Sequence, residues 1–182
     1  MKLNLSIKET VLVGMCAALM GIFSQLSIPL PTVPLTLQVF GVVVIAVVVE
    51  GKIGGLSMII FALLGAIGIP VFANFTAGIG VIAGGTGGFI TGFIIMAFII
   101  GWASSKNDKR ILFLGAYIGL AIDYIIGVLQ LKVVMGLSMQ GALAAGCYPF
   151  IVKDIIMVSL GVIVALAIKN TIRGVIRIDA RA

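Results

Sequence analysis

Three ionisable residues fall inside long apolar runs of the sequence: Asp123, Lys153 and Asp154. A charge in such surroundings is costly, and where one is kept it serves a partner or a ligand. Asp123 precedes Lys132 by a few helical turns, and Asp154 lies just beyond Pro149. On helices these placements give the two carboxyls a shared depth facing one cavity. The other reading, in which they only hold neighbouring helices together, stays open. Lys153 and Asp154 are adjacent, so on a helix they are expected to point about 100° apart, which argues against mutual neutralisation. Tyr124 and Tyr148 each combine an aromatic body with a hydroxyl, suited to a small amphipathic ligand or to anchoring at the membrane interface. Gln38 offers an amide near the start of a helix, and Asn74 and Thr76 begin a polar turn after Pro70.

Catalytic sets are harder to assemble. The chain has no histidine, no serine in a nucleophile elbow and no Cys–His pairing, so hydrolysis lacks its base. The run GGTGG, Gly84 to Gly88, has the look of a phosphate cradle, but no GxxxxGK[ST] pattern follows it. Cys16 and Cys147 lie in different apolar segments without a CxxC partner, which argues against a metal site and a disulfide. These residues can bind a ligand; nothing among them hydrolyses ATP.

What must position them is a membrane protein. The chain of 182 residues is 62% hydrophobic and only 10% charged, with a mean hydropathy of +1.32, whereas soluble domains are about 45–50% apolar and about 25% charged. At about 20 residues per spanning helix, the length accommodates roughly six helices in one domain, residues 1–182. The centre of the arrangement is the uncharged stretch from Ile69 to Phe93, with glycine at positions 78, 80, 84, 85, 87, 88 and 92. Interior glycine costs a helix roughly 1 kcal/mol relative to alanine, and irregular backbone at membrane depth must lie against protein or a polar cavity. The stretch is therefore expected to be a loop folded back over a binding site.

Breakers and windows place helices at about Glu9–Ile28, Leu35–Val49, Leu56–Ile69, Gly88–Ala103, Ile111–Leu131 and Gly141–Ile168. The first ends at Pro29 and Pro31, the third before Pro70, and the last is kinked or restarted at Pro149. EGKIGG reads as a turn between the second and third. The N-terminal apolar run reads as a first span rather than a cleaved leader, since no A-x-A site follows it. With both termini cytoplasmic, ten of the twelve Lys and Arg fall inside: Lys2, Lys8, Lys52, Lys106, Lys109, Arg110, Lys169, Arg173, Arg177 and Arg181. That bias agrees with an even number of spans and opens the glycine-rich stretch to the outside. Gly14 and Ala18, like Ala17 and Gly21, have the four-residue spacing of small residues that lets helices approach closely, within the bundle or between subunits.

Four segments, taken in order, resemble one family. They are IPLPTVPLTLQ (Ile28 to Gln38), LLGAIGIPVFA (Leu63 to Ala73), GGTGGFITGF (Gly84 to Phe93) and ALAAGCYPFIVKD (Ala142 to Asp154). The chain resembles the BioY family, the biotin-specific substrate-binding (S) components of energy-coupling factor (ECF) vitamin transporters. The resemblance implies an all-α bundle of six transmembrane helices that binds biotin from outside, beneath the loop between helices 3 and 4. It implies an ECF transmembrane coupling subunit and paired ABC ATPases as partners, Gly14 and Ala18 as the docking face, and no enzymatic activity, cofactor or nucleic acid. Asp154 would accept from the ureido N–H groups. Backbone around Gly84 to Gly88, with Thr86, Asn74 and Gln38, would hold polar parts of the ligand, and Phe89, Tyr124 and Tyr148 would pack its rings and chain. Two positions depart from the family pattern: Gly85 stands where proline is usual, and Met157 where a lysine commonly follows the acidic residue, leaving Lys153 as the basic partner for a ligand carboxylate. A related vitamin such as lipoate, or a self-sufficient small-solute carrier, is the competing expectation.

Overall fold

The computed structural model describes residues 5–172. Its elements are α1 (Ile7–Gln25), β1 (Ser27–Ile28), β2 (Leu35–Thr36), α2 (Gln38–Val49), α3 (Gly51–Ala66), a 3-10 turn (Ala73–Phe75), α4 (Ile79–Ala83), α5 (Gly87–Ser105), α6 (Lys109–Met135), α7 (Met139–Gly146) and α8 (Ile151–Ile172). α1, α5, α6 and α8 are long and apolar enough to cross a membrane; α2 and α3 are shorter apolar helices.

α2 is the centre of the packing. Its sequence QVFGVVVIAVVV is apolar all round, and ten of its twelve residues are buried, as expected of a helix enclosed by others. α1, α3, α5 and α8 all pack against it. The outer helices instead expose rows of large apolar residues, among them Val11, Met15 and Ile22 on α1 and Ile156 and Ile163 on α8, which suits contact with lipid.

α5 and α6 form the closest pair. On α6, Gly115, Gly119, Asp123 and Gly127 recur every four residues, and each meets α5: Gly115 at Ala103, Gly119 at Met96, Asp123 at Gly92 and Gly127 at Phe89. Small residues at this spacing let two backbones approach, and van der Waals packing of that kind drives helix association in lipid.

Helix ends differ from the sequence reading in informative ways. α1 starts earlier, because Ser6 and Glu9 form a capping box (Glu9 N–H to Ser6 Oγ, 3.2 Å; Ser6 N–H to Glu9 Oε2, 2.7 Å). It also stops earlier. Ser27 and Ile28 leave the helix to pair antiparallel with Thr36 and Leu35, so the proline-rich link is the tip of a small hairpin. EGKIGG is not a turn throughout: the chain reverses at Glu50 and Gly51, with φ 53° and 51°, and α3 begins at Gly51. Gly54 is needed for packing instead, since a Cβ there would lie 2.9 Å from the Ala46 Cα of α2. α6 runs one turn past its expected end and closes at Gly136, whose φ of 63° is open to glycine. The last expected helix is two, α7 and α8, separated around Pro149.

Two groups of contacts mark the two ends of the bundle. At one end Lys169 of α8 forms an ion pair with Glu50 and donates to Ser104 Oγ (3.1 Å), while Ser104 donates to the Val47 carbonyl of α2 (2.9 Å). At the other end lie the hairpin, the glycine-rich stretch and α7. Lys2, Arg173, Arg177 and Arg181 fall outside the described residues.

Candidate functional site

The glycine-rich stretch is not loop throughout. It contains the 3-10 turn and α4, and α5 begins within it at Gly87. Two glutamines pin it down. From α1, Gln25 donates through Nε2 to the Phe72 carbonyl (3.0 Å) and accepts from the Phe75 N–H (2.9 Å). From α6, Gln130 Nε2 donates to the carbonyls of Ile82 (2.7 Å) and Gly84 (2.8 Å). Gly87 N–H also reaches the Gly84 carbonyl (3.2 Å), so the turn around Gly85 is held by hydrogen bonds. Phe72 drives the stretch inward, 2% exposed and edge-on to Phe61 at 5.5 Å, over the space that Gly65 leaves open. Both glutamines escaped the sequence reading. The available signal was a lone amide inside an apolar helix, the same signal that singled out the carboxylates, but weaker because an amide carries no charge.

Beneath this cover is a cavity of about 340 Å³. The hairpin contributes Thr32, Pro34 and Thr36 to its wall, and α2 contributes Gln38 and Val39. Asn74, Thr76, Gly84 and Thr86 come from the glycine-rich stretch; Phe89, Ile90 and Phe93 come from α5. Asp123 and Tyr124 of α6, Phe150 just before α8, and Lys153 and Asp154 in its first turn also line it. Phe89 and Tyr124 stand edge-on, their ring centroids 6.2 Å apart. Asn74 adopts φ 57°, which asparagine tolerates better than most residues, and its Oδ1 accepts from Ser27 Oγ (3.0 Å).

Asp154 is 4% exposed and engaged on both oxygens. Tyr124 donates its hydroxyl to Oδ2 at 2.6 Å, and the Lys153 ammonium lies 2.7 Å from Oδ1. The expectation that adjacent Lys153 and Asp154 diverge is therefore corrected. Both sit in the first turn of α8, and the flexible lysine arm curls back to donate to the Thr36 carbonyl on β2 (2.7 Å), which brings it alongside its neighbour. The resulting chain, Thr36–Lys153–Asp154–Tyr124, links the hairpin, α8 and α6 around one carboxylate.

Tyr148 does not line the cavity. It lies in the break between α7 and α8, 62% exposed, with its neighbour Cys147 turned inward at 8%. The two small-residue spacings of α1 also part company. Ala17 and Gly21 are buried in the bundle, Gly21 against Val71, whereas Gly14 and Ala18 are exposed. No group of three or more His, Cys, Asp or Glu with metal-binding geometry occurs among the described residues.

Comparison with known proteins agrees across sequence and structure. The BioY family model matches residues 1–174. A probable biotin transporter BioY of Pyrococcus horikoshii is 42% identical over 158 residues, covering 87% of this chain and 94% of that protein. The biotin transporter BioY of Thermotoga maritima is 38% identical over 164 residues, covering 90% and 96%. A solved structure, described as the S-component for biotin from an ECF-type ABC transporter, superposes with a TM-score of 0.82 at 22% identity, over 93% of this chain and 95% of that one. At that identity the likeness speaks for the fold.

Proposed function

The chain belongs to the BioY family, and on that premise we propose that it is the S component of an ECF-type vitamin transporter, capturing biotin from the extracellular side. The observation that carries this reading is the cavity itself, walled by aromatic and aliphatic side chains with a fixed carboxylate at one point of its lining. Ligand sites of this kind take their affinity from apolar contact and their orientation from a few placed polar groups. Biotin has matching parts: a cyclic urea with two N–H donors, a fused sulfur ring, an aliphatic chain and a terminal carboxylate.

In this assignment Asp154 accepts from the urea, oriented by Tyr124 and Lys153. The sulfur ring and chain pack on Phe89 and Tyr124. Asn74, Thr86, Gln38 and the backbone around Gly84 hold the ligand's remaining polar atoms. Lys153 serves Asp154 rather than the ligand's acid, since its ammonium is already shared between a carboxylate and a carbonyl.

Topology follows from the two ends of the bundle. In this reading α1, α2, α3, α5, α6 and α8 make six alternating crossings, of which α2 and α3 are the shorter. Lys8, Lys52, Lys106, Lys109, Arg110 and Lys169 then gather at the end where Glu50 and Ser104 meet Lys169. By the bias of basic residues that end is cytoplasmic, and both termini with it. The exposed face of α1 at Gly14 and Ala18 is the docking surface for the transmembrane coupling subunit, whose ABC ATPases supply the energy. The whole chain acts as one membrane-embedded binding domain.

The test is direct. Purified protein in lipid nanodiscs should bind labelled biotin saturably at submicromolar concentration and should not exchange it for lipoate. Absence of saturable binding at micromolar biotin ends the assignment, and preference for lipoate transfers it to the related vitamin. Biotin accumulation in cells lacking every ECF ATPase would favour a self-sufficient carrier.

The glutamine latch gives a second expected result. Gln130→Ala takes the side-chain donor from the Ile82 carbonyl and leaves the Gly84 carbonyl with only the Gly87 N–H, at a cost of about 1–3 kcal/mol if the Ile82 oxygen stays dry. The cover should open more often, so biotin should dissociate roughly tenfold faster while association changes little. Stopped-flow release of a fluorescent biotin measures both, and an unchanged release rate shows that the latch does not hold the cover.

A further inference from the structure

Packing alone calls for a small residue at position 123. Asp123 occupies one place in the four-residue stripe of Gly115, Gly119 and Gly127, at the level where α5 offers Gly92. A Cβ on Gly92 would lie 2.9 Å from the Asp123 Cα, so α5 is kept bare where the carboxyl lies. Asp123 is 2% exposed, it lines the cavity, and its buried Oδ1 has no hydrogen-bond partner among the described residues. A polar group left so inside a bilayer is costly. Asp154 differs: its Oδ1 also lacks a hydrogen-bond partner, but that oxygen is ion-paired with Lys153, and Oδ2 accepts from Tyr124. Of the two buried Oδ1 atoms, only that of Asp123 has neither a hydrogen bond nor an ion pair among the described residues.

We propose that Asp123 is a second ligand-binding carboxyl, accepting one ring N–H of the cyclic urea while Asp154 accepts the other. This rests on the biotin reading. The two N–H groups of a cyclic urea diverge from a common carbonyl, so one carboxylate cannot align well with both, whereas carboxyls on two different helices can take one each. A ligand carboxylate would be repelled from this side of the cavity, which sets the orientation of the bound molecule: urea toward α6 and α8, acid toward the glycine-rich cover. Ligands without N–H donors leave both carboxyls unanswered, and that is the basis of discrimination against lipoate.

The experiment uses the full chain in nanodiscs, with Asp123→Ala and Asp123→Asn. The probes are biotin and its two cyclic-carbamate analogues, each with one ring N–H replaced by oxygen. Asp123→Ala completes the small-residue stripe and removes an unpartnered buried acid, so its thermal midpoint should equal or exceed that of the wild type. Its biotin affinity should fall about 10- to 100-fold, the range for leaving a buried donor without its partner. Asp123→Asn keeps a carbonyl acceptor and should recover much of that loss. Against one of the two carbamates, the one lacking the N–H that meets position 123, Asp123→Ala should cost little. Equal losses for biotin and both carbamates, unchanged biotin affinity, or a variant that no longer folds would each show a packing role and overturn the proposal. Wild-type protein that fails to bind biotin would overturn the functional reading first, and this proposal with it.

Discussion

Asp154→Ala should lower biotin affinity by at least about 100-fold, a larger effect than any other single change in the cavity wall. Three interactions go at once: the acceptor itself, the Tyr124 hydrogen bond at 2.6 Å and the Lys153 contact at 2.7 Å. A hydrogen bond to a charged group is worth about 1.5–3 kcal/mol, and two ring-positioning side chains lose their anchor besides. Stability should fall too. Removing one member of a buried ion pair leaves the other uncompensated, at a cost of about 3 kcal/mol or less here, because the Lys153 side chain is 20% exposed. The double variant Asp154→Ala/Lys153→Met separates the two effects. It removes the stranded charge while keeping the length of the arm, so the thermal midpoint should recover while biotin binding does not. Binding that recovers along with the midpoint would reduce Asp154 to a scaffold residue and take the proposed site with it.

The contrast between Asp154 and Lys153 shows where reading the chain alone reaches its end. Asp154 stands out because its charge contradicts its apolar neighbours, and that contradiction is local. The path of the Lys153 side chain is not local: its anchor is the carbonyl of Thr36, more than a hundred positions earlier, and no helical projection contains it. Tyr148 lies away from the cavity wall for a related reason. Its type suits a ligand site, but the backbone break around Pro149 decides which of Cys147 and Tyr148 faces in, and periodicity carries no phase through a break. Glycines were misjudged in the other direction. Read as breakers, Gly51 and Gly54 marked a turn and Gly87 a loop, while Gly88 and Gly92 fell both in the expected glycine-rich loop and in the helix expected from Gly88. In the structure these five lie in helices, and Gly54, Gly88 and Gly92 are sites where another backbone comes close. In water the propensity cost of glycine usually ends a helix; in lipid, close backbone approach offsets it.

That distinction has a measurable consequence at Gly88. Replacing it by valine should be among the most destabilising single changes in the chain. A Cβ there would lie 2.7 Å from the Ile126 carbonyl oxygen and 2.8 Å from the Gly127 Cα. Both are backbone atoms of α6, so no rotamer change relieves the overlap; the two helices must separate. Overpacking in a well-filled interior costs about 1–3 kcal/mol, and the upper end is expected where backbone must move. Separation would also carry Gln130 away from the Ile82 and Gly84 carbonyls that it holds, and move Asp123 relative to Gly92. Gly88→Val should therefore lose thermal stability and biotin binding together, read by differential scanning fluorimetry and ligand titration on the same sample. Gly80→Val is the control, because a Cβ at Gly80 has no atom within 4 Å beyond its own chain neighbours, and it should leave the thermal midpoint nearly unchanged. If Gly88→Val behaves like Gly80→Val, close approach of α5 and α6 is not what this glycine is for, and the stripe that seats Asp123 loses its physical basis.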